Sequence, residues 1–232
     1  LAQVVREPRF DAAELKKLKA RATDEAEDAA RSSGSWTAQR IVFQELYPEK
    51  SPYETYGLVP SQIANIDGAQ IRAFHAKWFV PKNTTLVVAG DIEDATAKEL
   101  AQKHFGTWTG GEPPKLELPP PKPPQKPRVF IAHRPKSVQS DVFVAMLAPE
   151  RRFAHWAQVR VATQILGGGV ASRLFTDVRE QRSLAYRTSA QILEVSHGEQ
   201  PLVLYAGTES SKTAQAVAGL LENAERMTTT PP

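Results

Sequence analysis

The stretch LGGGVASRLFTDVREQRSLAY, which runs from Leu166 to Tyr186, is the most informative part of this sequence of 232 residues. Apolar residues repeat at helical spacing ahead of it, so the glycines at 167–169 are expected to end a helix through left-handed dihedrals. A second helix is expected to start with Ser172 as its N-cap. Arg179 then lies near the end of that helix, and Tyr186 opens a strand beside it. The sequence therefore predicts that a guanidinium and a phenol point to one place.

The glycine run does not fit the known phosphate-binding loops. A Walker loop requires G-x-x-x-x-G-K-[ST], and the dinucleotide fingerprint requires a third glycine where this chain has Ser172. Taken alone, the three glycines therefore indicate a helix-breaking turn between two packed helices.

With its arginine and tyrosine, the stretch resembles the pitrilysin/insulysin (insulinase) family of zinc metallopeptidases, including subunits like those of the mitochondrial processing peptidase. The second domain of that family, which binds no metal, carries the pattern G-G-x-x-S-R-L-F-x-x-[VL]-R-E-x-x-x-L-A-Y. The matching residues are Gly168, Gly169, Ser172, Arg173, Leu174, Phe175, Val178, Arg179, Glu180, Leu184, Ala185 and Tyr186. Segments that begin at Phe10, Leu46, Ile63 and Lys103 resemble the family's first domain downstream of its metal-binding helix.

The resemblance implies roles for the arginine and the tyrosine. In the family, the equivalent pair faces a chamber between two similar domains, so Arg179 and Tyr186 are expected to bind the peptide carbonyl and to support the oxyanion. We also assign Gly167, Gly168 and Gly169 to substrate binding. Without the resemblance, a helix-end arginine that favours the helix dipole and a tyrosine packed on a strand edge explain the pair.

The metal-binding motif of the family is missing from this sequence. Active members bind zinc through an H-x-x-E-H helix, whereas the five histidines here stand at 75, 104, 133, 155 and 197, with more than twenty residues between the closest two. Ordinary packing or surface hydrogen bonds explain them. The resemblance leaves Glu14 and Glu25 as candidates for the family's third zinc ligand, although a solvated helix face explains both. Zinc is therefore expected outside this chain, in a preceding segment or a partner subunit.

Composition sets broad limits on class and partners. Charged residues make up 24% and apolar residues 41%, as in an ordinary globular protein, and the net charge of +3 comes with no nucleic-acid motif. The absence of cysteine rules out disulfides and thiolate chemistry. No apolar run reaches membrane-spanning length, and no signal peptide is recognised. We therefore expect a soluble protein, and a bacterial-type cytoplasm and a periplasm both stay open.

A proline-rich segment divides the sequence. Eight of the fifteen residues from Pro113 to Pro127 are proline, which favours an extended linker, with a ligand for SH3-type domains as the rival interpretation. We predict the second half of one peptidase-like domain at 1–111, the linker at 112–127, and the first half of a second domain at 128–232. The predicted class is α+β, with mixed sheets and packed helices.

The periodicity also predicts individual elements. The helices are expected near 12–32, 36–46, 68–79 and 95–104, on both sides of the glycine run, and from 213 to 227. The strands are expected at 84–89, 129–132, 142–147, 186–195 and 202–208.

Three functions from different classes are compatible with the sequence. The chain is a fragment of a zinc endopeptidase whose metal helix precedes Leu1, or a non-catalytic subunit of a homo- or heterodimer that lends Arg179 and Tyr186 to a metal-bearing partner. The third is a peptide-binding scaffold of the same fold. Short or unfolded polypeptides are the expected substrates, and the chain alone is expected to be inactive.

Overall fold

The computed structural model describes residues 1–121 and 123–229. Lys122, in the predicted linker, and residues 230–232, at the end of the predicted second domain, lie outside the described residues. The chain forms two compact units, the first from residues 1–26 and 58–117, and the second from residues 27–57 and the chain from 118 onward. The units thus interleave along the sequence, and the boundaries predicted at 111 and 128 stay a prediction.

Helices make up most of the regular structure of the described chain. The α-helices are α1 (Ala2–Arg6), α2 (Ala12–Ser32), α3 (Gly34–Leu46), α4 (Pro60–Ala64), α5 (Gly68–Trp78), α6 (Asp94–Phe105), α7 (Trp156–Gly167) and α8 (Thr213–Thr229). The strands are β1 (Gln139–Ala148), β2 (Arg187–Ile192) and β3 (Gln200–Glu209). Short 3₁₀ turns span Pro81–Asn83 and Ser210–Lys212, and a π-helix spans Phe175–Gln181.

Helices form the regular structure of the first unit among the described residues. Its α5 begins with a capping box, in which the Asp67 carboxylate accepts from the Gln70 backbone N–H and the Gln70 side chain accepts from the Asp67 N–H. Pro60 and Pro81 each lie in the first turn of a helix, where a backbone N–H has no intrahelical partner, so proline costs no hydrogen bond.

The second unit is built around an antiparallel sheet of order β1-β3-β2. One face packs against α7, α8 and the π-helix, through core residues that include Val142, Leu166, Leu174, Ala190, Leu204 and Leu220. The other face packs against α3, through core residues that include Val42, Phe43, Leu46, Tyr47 and Val203. The central strand β3 is buried along almost its whole length because helices cover both of its faces.

The predicted α+β class is confirmed. The predicted helices correspond to α2, α3, α5, α6, α7 and α8, and the helix predicted after the glycine run corresponds to the π-helix Phe175–Gln181. The strands predicted at 142–147, 186–195 and 202–208 correspond to β1, β2 and β3. The strands predicted at Thr84–Ala89 and Val129–Ala132 are wrong, because neither segment forms a strand in the structure. Val87 and Ile131 are 81% and 88% exposed, so these runs have strand composition but no strand beside them.

The glycine run ends α7 by a different means from the one predicted. Gly168 follows the helix with φ −85°, and the left-handed glycines of the described chain are Gly57, Gly90 and Gly198. Gly167 is needed for space instead, since a Cβ there would lie 2.7 Å from the Cβ of Ala190 and closer still to its backbone nitrogen. The glycine therefore allows α7 to approach β2.

Candidate substrate-binding site

The helix that carries Arg179 begins as the sequence predicted. The Ser172 hydroxyl accepts a hydrogen bond from the Phe175 N–H at 3.4 Å, which makes Ser172 the N-cap. After a short α-helical start, residues 175–181 follow the wider π path, and the Arg182 N–H donates to the Asp177 carbonyl oxygen at 3.0 Å. Leu174 and Val178 are fully buried and anchor this helix on the sheet.

A tight turn leads from the helix to Tyr186. Ser183 adopts φ +50°, a left-handed conformation that is uncommon for residues other than glycine, and its carbonyl oxygen accepts from the Lys212 ammonium at 3.2 Å. The Tyr186 N–H then donates to the Gly207 carbonyl oxygen at 3.0 Å, one residue before β2 begins. This bond holds the backbone of Tyr186 at the end of the sheet and leaves its side chain to be held by other contacts.

Within the part of the chain that the structure describes, Arg179 keeps most of its hydrogen-bonding capacity free of strong partners. Its guanidinium lies 4.5 Å from the centre of the Phe175 ring, and its Nε lies 3.5 Å from the Glu180 carboxylate. The cation–π contact orients the guanidinium without neutralising it, and the side chain is 42% exposed. Arg182 differs, because it binds the carboxylates of Asp177 at 3.0 Å and Glu222 at 2.7 Å.

Tyr186 presents a half-exposed phenol at the same turn. Its hydroxyl donates to the Gln139 side-chain oxygen at 3.0 Å, while the residue as a whole is 49% exposed. Arg179 and Tyr186 both line an open cavity of about 390 Å³. The other lining residues are Glu180, Ser183, Leu184, Ala185, Glu209 and Lys212.

The structure thus brings the arginine and the tyrosine to one cavity, and their catalytic role stays a prediction. Gly167, Gly168 and Gly169 are not among the residues that line it, and their assignment to substrate binding is likewise untested. Sequence reasoning missed Glu209 and Lys212 as lining residues. The antiparallel pairing of β2 with β3 brings them to the cavity, and no local pattern signals that pairing in advance.

The described residues do not supply a zinc site. Within 1–121 and 123–229, no group of three or more His, Asp or Glu side chains is arranged to hold a metal ion. Glu14 and Glu25 are exposed on α2, where they pair with Lys17 at 2.7 Å and Arg21 at 3.3 Å. The His75 ring stacks on Phe79 at 4.7 Å.

The comparison with protein families identifies the chain. Residues 65–232 match the model of the peptidase M16 inactive domain. This chain belongs to the peptidase M16 family. An uncharacterized zinc protease of Mycobacterium tuberculosis is 28% identical over 163 residues, which cover 68% of this chain and 37% of that protein. The zinc protease PqqE of Helicobacter pylori is 22% identical over 184 residues, which cover 75% and 41%.

Solved M16 structures share the fold. The peptidase M16 inactive domain from Pseudomonas fluorescens superposes with a TM-score of 0.86 at 26% identity, over 100% of this chain and 55% of that one. A protease from Helicobacter pylori gives a TM-score of 0.82 at 20% identity, over 97% and 55%. This chain therefore spans about half the length of these solved relatives, and it is part of a zinc-protease-like protein of the M16 family.

Across the part of the chain that the structure describes, no helix has both the length and the apolar character needed to cross a lipid bilayer.

Proposed function

We propose that this chain is the metal-free, substrate-binding part of an M16 peptidase, in which Arg179 and Tyr186 contact the carbonyl oxygen of the peptide bond to be cut. The substrate class is a short or unfolded polypeptide. Zinc belongs to polypeptide outside this chain, either in the same protein or in a partner subunit, because the described residues offer no metal site.

One observation carries the proposal, namely that a charged donor and a hydroxyl donor line the same open cavity. The carbonyl oxygen gains negative charge during peptide hydrolysis, and donors aimed at it stabilise that charge most where water is excluded. Arg179 suits this role because the Phe175 ring orients its guanidinium, while the Glu180 carboxylate is its only ion-pair partner among the described residues and lies 3.5 Å from Nε. Tyr186 contributes a directional donor once a substrate oxygen takes the place of the Gln139 side chain.

The experiment compares turnover of the assembled peptidase on fluorescein-labelled casein, a polypeptide with little fixed structure. Arg179→Ala is expected to lower kcat by about 10²-fold or more, as loss of one oxyanion donor does in other hydrolases. The matched control is Arg151→Ala, which removes the same charge from a side chain that pairs with Glu194 and does not line the cavity. Equal turnover in the two variants would leave Arg179 with a structural role only.

A second arm tests the chain by itself. The wild-type chain is expected to bind labelled casein in fluorescence anisotropy without cleaving it, and Arg179→Ala to weaken that binding. Cleavage that survives removal of contaminating proteases contradicts the proposal that the metal lies elsewhere.

A further inference from the structure

The phenol groups of two tyrosines lie close to one glycine, Gly207, at the end of the sheet. A Cβ on Gly207 would lie 2.8 Å from the Cζ and Oη of Tyr186, and equally close to the Oη of Tyr205. Gly207 stands in the middle strand, opposite Asp141 on β1 and Arg187 on β2. Its φ is not left-handed, so the glycine is needed for space rather than for backbone conformation.

Tyr205 is the firmly held member of this pair. Its hydroxyl donates to the Asp141 carboxylate at 2.8 Å, and its ring centre lies 5.1 Å from that of Phe143. Burial, together with the hydrogen bond and the charge of Asp141, raises the pKa of Tyr205 far above its ordinary value. The phenol therefore stays neutral, with its proton directed to Asp141.

Tyr186 is the loosely held member. Half of its surface is exposed, and its hydroxyl is held by Gln139, whose own side chain stands at the first residue of β1. To bind a substrate carbonyl, Tyr186 exchanges that contact while the ring stays in place. The space that a Gly207 Cβ would occupy is bounded by the Tyr186 phenol and by the hydroxyl of Tyr205, so these two groups lie side by side over the glycine.

We propose that Tyr205, held by Asp141, is a positioning residue that keeps the phenol of Tyr186 over Gly207 at the cavity wall. The inference rests on the proposed function, since it names what orients the donor assigned there to the peptide carbonyl. A donor that is held in place before binding loses less conformational freedom when the substrate arrives, and this favours tight binding.

A double-mutant cycle on the full chain tests whether Tyr205 acts through Tyr186. Tyr205→Phe keeps the ring on Phe143 and removes the hydroxyl, so casein affinity is expected to fall about threefold to tenfold, the range for one lost hydrogen bond. In a Tyr186→Phe background the same change is expected to have no further effect. Losses that simply add would overturn the proposal, because Tyr205 would then act independently of Tyr186.

The Asp141 variants separate positioning from general damage to the fold. Asp141→Asn keeps an acceptor for the Tyr205 hydroxyl, so it is expected to lose less affinity than Asp141→Leu, which has none. Equal losses from the two substitutions count against the proposal. Thermal unfolding of each variant shows whether the fold is retained.

A second readout reports on Tyr186 itself and separates failure of this inference from failure of the proposed function. Tyrosines labelled with ¹³C at Cζ give an NMR signal for Tyr186, which disappears in Tyr186→Phe. Tyr205→Phe and Gly207→Ala are each expected to broaden or split that signal. A sharp, single signal in both variants refutes the positioning role. A broadened signal combined with unchanged casein affinity in Tyr186→Phe supports the positioning role and refutes the proposed function.

Discussion

The two units contain similar apolar runs that reach different structures. Thr84–Ala89 in the first unit forms no strand, and Val87 at its centre is 81% exposed. The β3 strand in the second unit has a comparable composition, yet Val203 and Leu204 are fully buried in it. The difference lies in the partners, because β3 bonds to a strand on each side and packs against helices on both faces. Strand formation thus depends more on neighbours than on the run itself.

Truncating one side chain in each run tests this difference in packing, and the change in β3 is expected to have the larger effect on the free energy of unfolding. Leu204→Ala is expected to lower the free energy of unfolding by about 2–5 kcal/mol, because it leaves a cavity in a packed core. Val87→Ala is expected to change it by less than about 0.5 kcal/mol, since an exposed side chain loses few contacts. Urea unfolding followed by circular dichroism measures both.

Two results would contradict this dependence of strand formation on neighbouring elements. A cost for Val87→Ala close to that of Leu204→Ala would mean that residues 84–89 are packed in solution. Slow amide exchange across that segment would also show that it is hydrogen-bonded, whereas we expect slow exchange in β3 and fast exchange at 84–89.

These two runs also show where prediction from the sequence stops. Apolar spacing located α2 and β3 because the pattern that marks an element also marks the face that it buries. The apolar run at 84–89 was predicted to be a buried strand, because its composition indicates a preference for burial. Composition does not indicate whether a partner strand is present. The π path of residues 175–181 was not foreseen either, since Leu174 and Val178 have the same four-residue spacing in an ordinary helix.

The candidate site divides in the same way. The motif identified Arg179 and Tyr186, which lie seven residues apart on either side of one turn. The structure places both at one cavity. Glu209 and Lys212 reach that cavity through strand pairing between distant segments, which a local pattern does not encode. The same holds for Asp141 and Gly207, whose proximity depends on the register of β1 with β3.

A substitution where α7 packs against β2 is expected to have an intermediate effect on the free energy of unfolding. Among the described residues, such packing of a helix on a sheet occurs in the second unit alone. Gly167→Ala introduces a Cβ against the backbone of Ala190, so the free energy of unfolding is expected to fall by about 1–3 kcal/mol. Gly169→Ala is the matched control, because a Cβ there meets no atom within 4 Å. Thermal unfolding of the two variants gives the difference.

Equal stability of the two glycine variants would contradict the close approach of α7 to β2. It would also weaken the argument that partner elements determine the structure of the second unit, because this approach is one of the contacts that cover its sheet.

Two arginines near one turn, Arg179 and Arg182, also differ in their partners, and their substitutions are expected to change the free energy of unfolding least. Arg182 binds two carboxylates but is 38% exposed, so solvent screening limits the loss of unfolding free energy in Arg182→Ala to about 0.5–1 kcal/mol. Arg179→Ala is expected to cost less than about 0.5 kcal/mol, because its contact with the Glu180 carboxylate is 3.5 Å long and half-exposed. Casein binding should show the opposite order, with the larger loss in Arg179→Ala. Measuring unfolding and binding on both variants therefore separates an arginine that stabilises the fold from one that is available for a ligand. A loss of stability in Arg179→Ala but not in Arg182→Ala would reverse the two roles.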